Sequence, residues 1–145
     1  MKSPLLEPDE LEPRIRCFYS ISGPKVVPTT IDTEAGLRAT ASQEQPIARG
    51  RYPDGSPNIR QPFWEVEAVR SADSIDQVLR ELITLILPAR PFLVRYVRES
   101  ASQAIFGCNV SFERDRPLYE ISPESLSEMA SFKAPFLLDI FDYSS

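Results

Sequence analysis

FWEVEAVRSADSIDQVLRELITLI, residues 63–86, changes its hydrophobic period at Ser74, and the rest of the chain is read from that change. From Phe63 to Val69 apolar and acidic residues alternate: Trp64, Val66 and Ala68 share one face of a strand, Glu65 and Glu67 the other. From Ile75 onward the apolar residues recur three and four apart. Ile75, Val78, Leu79, Leu82, Ile83 and Ile86 then form one stripe of an amphipathic helix. Ser74 followed by Gln77 reads as a capping box, and Pro88 as the stop. A half-buried strand running into a one-sided helix calls for a sheet with helices laid on it.

Towards the N-terminus, residues 40–62 lose their aliphatic content and gain Gly50, Gly55, prolines and arginines. This predicts a long exposed loop, bounded at 43–62, with a little strand in it. Residues 28–37 allow a short helix capped by Thr29 or Thr30, with Gly36 near its end. Residues 14–21 alternate as a first strand, with Ile15, Cys17, Tyr19 and Ile21 on one face. Residues 1–13 hold one lysine, four carboxylates and three prolines. They read as a disordered acidic leader that carries most of the net charge.

Towards the C-terminus, residues 91–99 predict a second helix packing Leu93, Val94 and Val97. Residues 104–112 predict a strand with Phe106, Cys108, Val110 and Phe112 facing the core. Residues 113–116 form a charged turn, and 117–121 then pair back as a hairpin partner. Ser122-Pro123-Glu124 carries a cap, an N1 proline and an acidic first turn, so a helix starts there, burying Leu126, Met129 and Ala130. A last strand covers 136–143. The mixed order predicts a single α+β domain over residues 14–145: a largely antiparallel sheet of about five strands with helices packed on one face.

Composition excludes much chemistry. There is no histidine among the 145 residues, so Ser-His-Asp and Cys-His triads and histidine metal sites are absent. The formal net charge of −5 disfavours a nucleic-acid binder, which needs a basic surface to neutralise phosphates. The five glycines never reach a phosphate-loop or dinucleotide spacing. No cofactor or metal is expected. Neither a secretory signal nor a membrane-spanning stretch is read, which suggests a cytoplasmic chain. Cys17 and Cys108 lie in apolar runs and read as two buried thiols, with a Cys17–Cys108 bond as the alternative.

Arg49, Arg51 and Tyr52 are hot-spot residue types on an extended segment, and so are candidates for partner contact. Asp139, Asp142 and Tyr143 in the last strand are further candidates. With Glu120, Glu124 and Glu128 the two aspartates would form an acidic patch if that face is contiguous, suited to steering a basic partner. Asp139 reads first as a carboxylate on the solvent face of an edge strand or as a cap on a neighbouring backbone turn, and only second as a polar anchor for a partner. Trp64 reads as core or as an interface anchor. The function these residues suggest is a non-enzymatic protein-binding module. The alternatives are a small-ligand sensor, with a pocket between sheet and helices lined by Trp64 and Phe106, and an enzyme using carboxylates or a cysteine.

The chain also resembles the bacterial domain-of-unknown-function family 4279 over residues 16–143. The resemblance is carried by Phe18-Tyr19-Ser20-Ile21-Ser22-Gly23, by Pro28, Ile31 and Leu37, by Arg49-Gly50, by Trp64, and by Leu79, Leu82 and Leu87-Pro88. Most specific is the closing part: Ile121-Ser122-Pro123-Glu124-Ser125-Leu126, Met129-Ala130 and Leu138-Asp139-Ile140-Phe141. The resemblance implies a compact bacterial α+β domain that usually stands alone, with no catalytic residues to carry over. Small domains of this kind often act as immunity proteins, so the implied partner is a cognate toxin, a basic one suiting the acidic stretches. The oligomeric state is left open.

Overall fold

The computed structural model describes residues 13–143. The acidic leader expected at residues 1–13 therefore lies outside the described residues, apart from Pro13. Strand β1 (Arg14–Ser22) is followed by helix α1 (Pro28–Ala35), strands β2 (Ala41–Gln43), β3 (Ile47–Arg51), β4 (Pro57–Arg60) and β5 (Phe63–Ser71). Helix α2 (Ile75–Ile86), a 3-10 turn (Leu87–Ala89), helix α3 (Arg90–Glu99), strand β6 (Gln103–Phe112), helix α4 (Pro123–Ser131) and strand β7 (Phe136–Asp142) complete the order. Five strands form one sheet in the order β2-β5-β1-β6-β7, antiparallel except for the parallel β6–β7 pair. The α+β domain read from the sequence is the one observed.

β1 is central, paired on its two edges with β5 and β6, and its alternation buries one face. Ile15, Cys17, Tyr19 and Ile21 are fully buried, while the residues between them face the other side. Beside them in register lie Val66 and Trp64 of β5 and Phe106, Cys108 and Val110 of β6. The six-residue stripe of α2 lies fully buried in the same core, joined by Ile31, Leu93, Met129 and Phe132. Each such aliphatic side chain contributes about 1.5–3 kcal/mol on burial, so α2 is the main clamp on the sheet. Trp64 and Phe106 are fully buried and pack with Tyr19 and Phe132, within the core itself. They line no accessible surface, which corrects the expected position of a ligand pocket.

Several local readings are corrected. The N-cap of α1 is Val27 and not Thr29 or Thr30; Pro28 at the first helical position sets the start. Ser74 makes no side-chain cap, because the chain there is held by a bridge to Leu118, whose C=O accepts the Ile75 N–H. Pro88 ends α2, yet the chain stays helical through the 3-10 turn into α3. The expected hairpin partner at 117–121 is not a strand beside β6. Its one pairing among the described residues is that bridge, and the strand that joins β6 is β7, in parallel. Residues 113–135, with α4 among them, are long enough for the crossover that parallel pairing requires. The buried residues of α4 are Ser125 and Met129; Leu126 and Ala130 are exposed. The segment read as a loop at 43–62 carries the separate two-stranded sheet β3–β4.

Candidate functional site

With the helices on one side, the other side of the sheet is open to solvent, and its polar order follows from strand alternation. Arg16 of β1 pairs with both Glu65 and Glu67 of β5 and stacks 4.4 Å over the Phe18 ring. Phe18 in turn lies across Gly107, its partner in β6, where an added Cβ would stand 2.2 Å from the ring. Burial pushes the Glu65 carboxyl up, and the neighbouring Glu67 adds to this, against the pull of Arg16. One guanidinium is thus shared between two half-buried carboxylates.

At the β1–β6–β7 end of this open side there is a concavity of about 400 Å³ lined by Arg14, Arg16, Asn109, Ser111, Phe141 and Tyr143, among others. Phe141 is 46% exposed and Tyr143 65%. Arg14 is exposed and has no ion-pair partner among the described residues. Asp139 stands opposite Asn109 on the same side, and Phe141 opposite Ser111. The arrangement offers two aromatic rings, a cation and short polar groups on a rigid floor. Those are the residue types that anchor interfaces.

The six contact candidates singled out from the sequence, in contrast, do not come together. Arg49 and Arg51 lie on β3 and Tyr52 on its turn, in a hairpin whose ends join β2 and β5. β2 and β7 are opposite edges of the sheet, roughly 19 Å apart at four strand spacings. Arg51 is engaged locally, donating to the Gly55 carbonyl at 2.8 Å, while the Tyr52 and Asp54 groups close the turn with Gly55 and Ser56. Asp139, Asp142 and Tyr143 do share the β7 edge.

The acidic patch is corrected. Glu124 and Glu128 pair with Arg80 of α2 on the helix side, whereas Asp139 faces the open side, and Asp142 lies 4.0 Å from Arg116. Arg14, Asn109, Ser111 and Phe141 were missed by reading the chain alone. Their signal was strand alternation, which sets Arg14, Asn109 and Ser111 on the face opposite the core residues of β1 and β6; that Phe141 joins them follows only from the pairing of β7 with β6.

Cys17 and Cys108 are register partners on β1 and β6, both buried and both free. A hydrogen bond with Cys108, together with burial, pushes the Cys17 thiol up, and both side chains are closed off from solvent. Among the described residues no group of three or more Cys, Asp or Glu side chains converges as a metal site, and no helix is long and apolar enough to cross a membrane.

No family model matches the chain, and neither a curated protein nor a solved structure is significantly similar to it. Nothing in these comparisons bears on the resemblance to family 4279.

Proposed function

We propose that this chain is a non-enzymatic protein-binding module of the bacterial cytosol, acting as an immunity protein towards a cognate basic toxin. The observation that carries the binding reading is the pair Phe141 and Tyr143, exposed beside the unpaired Arg14 on the open side of the sheet. Exposed aromatics next to an arginine on a rigid strand floor lose little entropy when a partner covers them. The narrower reading, a toxin partner, is supported by the resemblance and by the net charge of −5. The compartment is supported by two free, buried thiols, which suit reducing conditions.

The test is a tagged pull-down from native cells at moderate salt, followed by titration of the purified partner. The expected result is a basic protein bound more tightly than micromolar, with affinity reduced at least ~10-fold by Phe141→Ala combined with Tyr143→Ala. Equal binding by that variant, or no partner tighter than micromolar, overturns it.

A second reading draws on Arg14, Asn109 and Ser111 in the same concavity, which suit a small carboxylate- or phosphate-bearing ligand. A thermal shift with such a metabolite, abolished by Arg14→Ala, would favour it.

A further inference from the structure

The two edges of the main sheet are built differently. β2 is three residues long and exposed, the kind of short edge that natural sheets tolerate. β7 has seven residues, with no proline, lysine or bulge, and apolar side chains on both faces: Phe136, Leu138 and Ile140 on the helix side, Leu137 and Phe141 on the open side. Leu138 is 38% and Ile140 46% exposed, so the helices leave this part of the sheet uncovered.

Its free backbone groups can be assigned. Pro135 accepts from the Phe106 N–H, and the Tyr143 N–H donates to Phe112. The N–H and C=O of one strand residue point to the same edge, alternating along the chain. The odd-numbered residues of β7 are therefore directed to β6. Phe136, Leu138, Ile140 and Asp142 direct theirs outward, where no described strand receives them.

We infer that this edge pairs antiparallel with β7 of a second copy, about a two-fold axis at Leu138, joining two five-stranded sheets into one. The register follows from the side chains. A two-fold at Asp139 would set the two Asp139 carboxylates directly opposite each other, which like charges disfavour. A two-fold at Ile140 would set Leu138 against Asp142. A two-fold at Leu138 pairs Leu138 with itself and Phe136 with Ile140, so the strand-on-strand pairs on the helix side are apolar, while Leu137 lies opposite Asp139 on the open side, where both side chains are exposed to water. It also brings Asp142 of one copy towards Lys133 of the other, a cation with no ion-pair partner among the described residues. A second copy presents a strand of the same length already ordered, whereas an unstructured segment from another protein would first have to be ordered. This inference is independent of the proposed function, because it needs no foreign partner.

The test is sedimentation velocity on the full chain from 1 to ~500 µM, with copper–phenanthroline cross-linking of Leu138→Cys and Ile140→Cys. An interface this small predicts a dimer with Kd on the order of micromolar. Leu138→Cys is expected to cross-link efficiently as a dimer, since the hydrogen-bonded pair holds its Cα atoms ~5.5 Å apart; Ile140→Cys is expected to cross-link at least ~10-fold less. Ile140→Lys, at an exposed position, is expected to be monomeric with an unchanged far-UV spectrum. A chain that stays monomeric to 500 µM overturns the inference, and so does equal cross-linking of the two cysteine variants. A dimer that survives Ile140→Lys in the folded protein overturns it as well. If the chain stays monomeric while an added foreign strand is captured at this edge, the edge serves a different partner.

Discussion

The indole N–H of Trp64 donates to the carboxylate Oδ1 of Asp32 at 2.8 Å, tying β5 to α1 from inside the core. The same oxygen accepts the Ala39 N–H at 2.9 Å, so one carboxylate holds both the sole tryptophan and the chain leaving α1. Ile31, on the same short helix, is fully buried beside this junction.

Asp32→Ala is expected to destabilise the fold by about 1–3 kcal/mol, because it leaves a buried indole N–H without its acceptor. Asp32→Asn, which keeps an acceptor oxygen, is expected to cost less than half as much. Urea unfolding followed by tryptophan fluorescence measures both; equal losses in the two variants would sink the assignment.

Tyr19 is fully buried among Trp64, Phe106 and Phe132, and its hydroxyl finds no partner among the described residues. Burial pushes the phenol up, well above its ordinary value. Removing an unsatisfied buried hydroxyl while keeping the ring is neutral or favourable. Tyr19→Phe should therefore leave the thermal midpoint unchanged or raise it. A drop of several degrees would mean that the hydroxyl has a partner after all.

Gly107 is required by space and not by backbone angle, since the Phe18 ring occupies the site of its missing side chain. Gly107→Ala is expected to cost about 1–3 kcal/mol through overpacking. Combined with Phe18→Ala, the cost should be clearly smaller than the sum of the two single changes. Additive losses in a double-mutant cycle would contradict the contact.

Asp76 joins the start of α2 to the cap of α4, accepting from the Ser122 N–H at 3.1 Å and from its hydroxyl at 3.2 Å. Burial opposes its charge, but hydrogen bonds from Ser125 and Ser122, with Arg80 nearby, hold the carboxyl below its ordinary range. A depressed folded value contributes stability above the unfolded value, about 3.9, which is lost as pH falls through the folded one. The stability gap between the wild type and Asp76→Asn should thus narrow between pH 6 and pH 2. A gap that does not change with pH would rule out the charge as its source.

Glu65 works in the opposite direction. Its raised carboxyl contributes stability below the unfolded value of about 4.3, and that contribution is lost as pH rises through the folded value. Glu67 also holds Arg16, so Glu65→Gln is expected to be neutral or stabilising at pH 7. A clear loss on chemical denaturation at that pH would show that Arg16 needs both carboxylates.

The features legible in the chain alone are those that depend on neighbours a few residues away. The alternation in β1, β5 and β6, the stripe of α2 and the Ser122 cap could be read because period and capping act within one or two turns of chain. Which stretches meet was settled by packing between distant segments. Residues 117–121 and 136–142 are both short and strand-like in sequence, but only the second joins β6, because α4 carries the chain back to where a parallel strand fits. The same placement separated Glu124 and Glu128 from Asp139 and gathered Arg14, Asn109, Phe141 and Tyr143 into one concavity. The sequence carries each residue's alternation, but the order of strands across a sheet is set by long-range pairing. Whether an apolar strand becomes core or edge follows from that pairing alone.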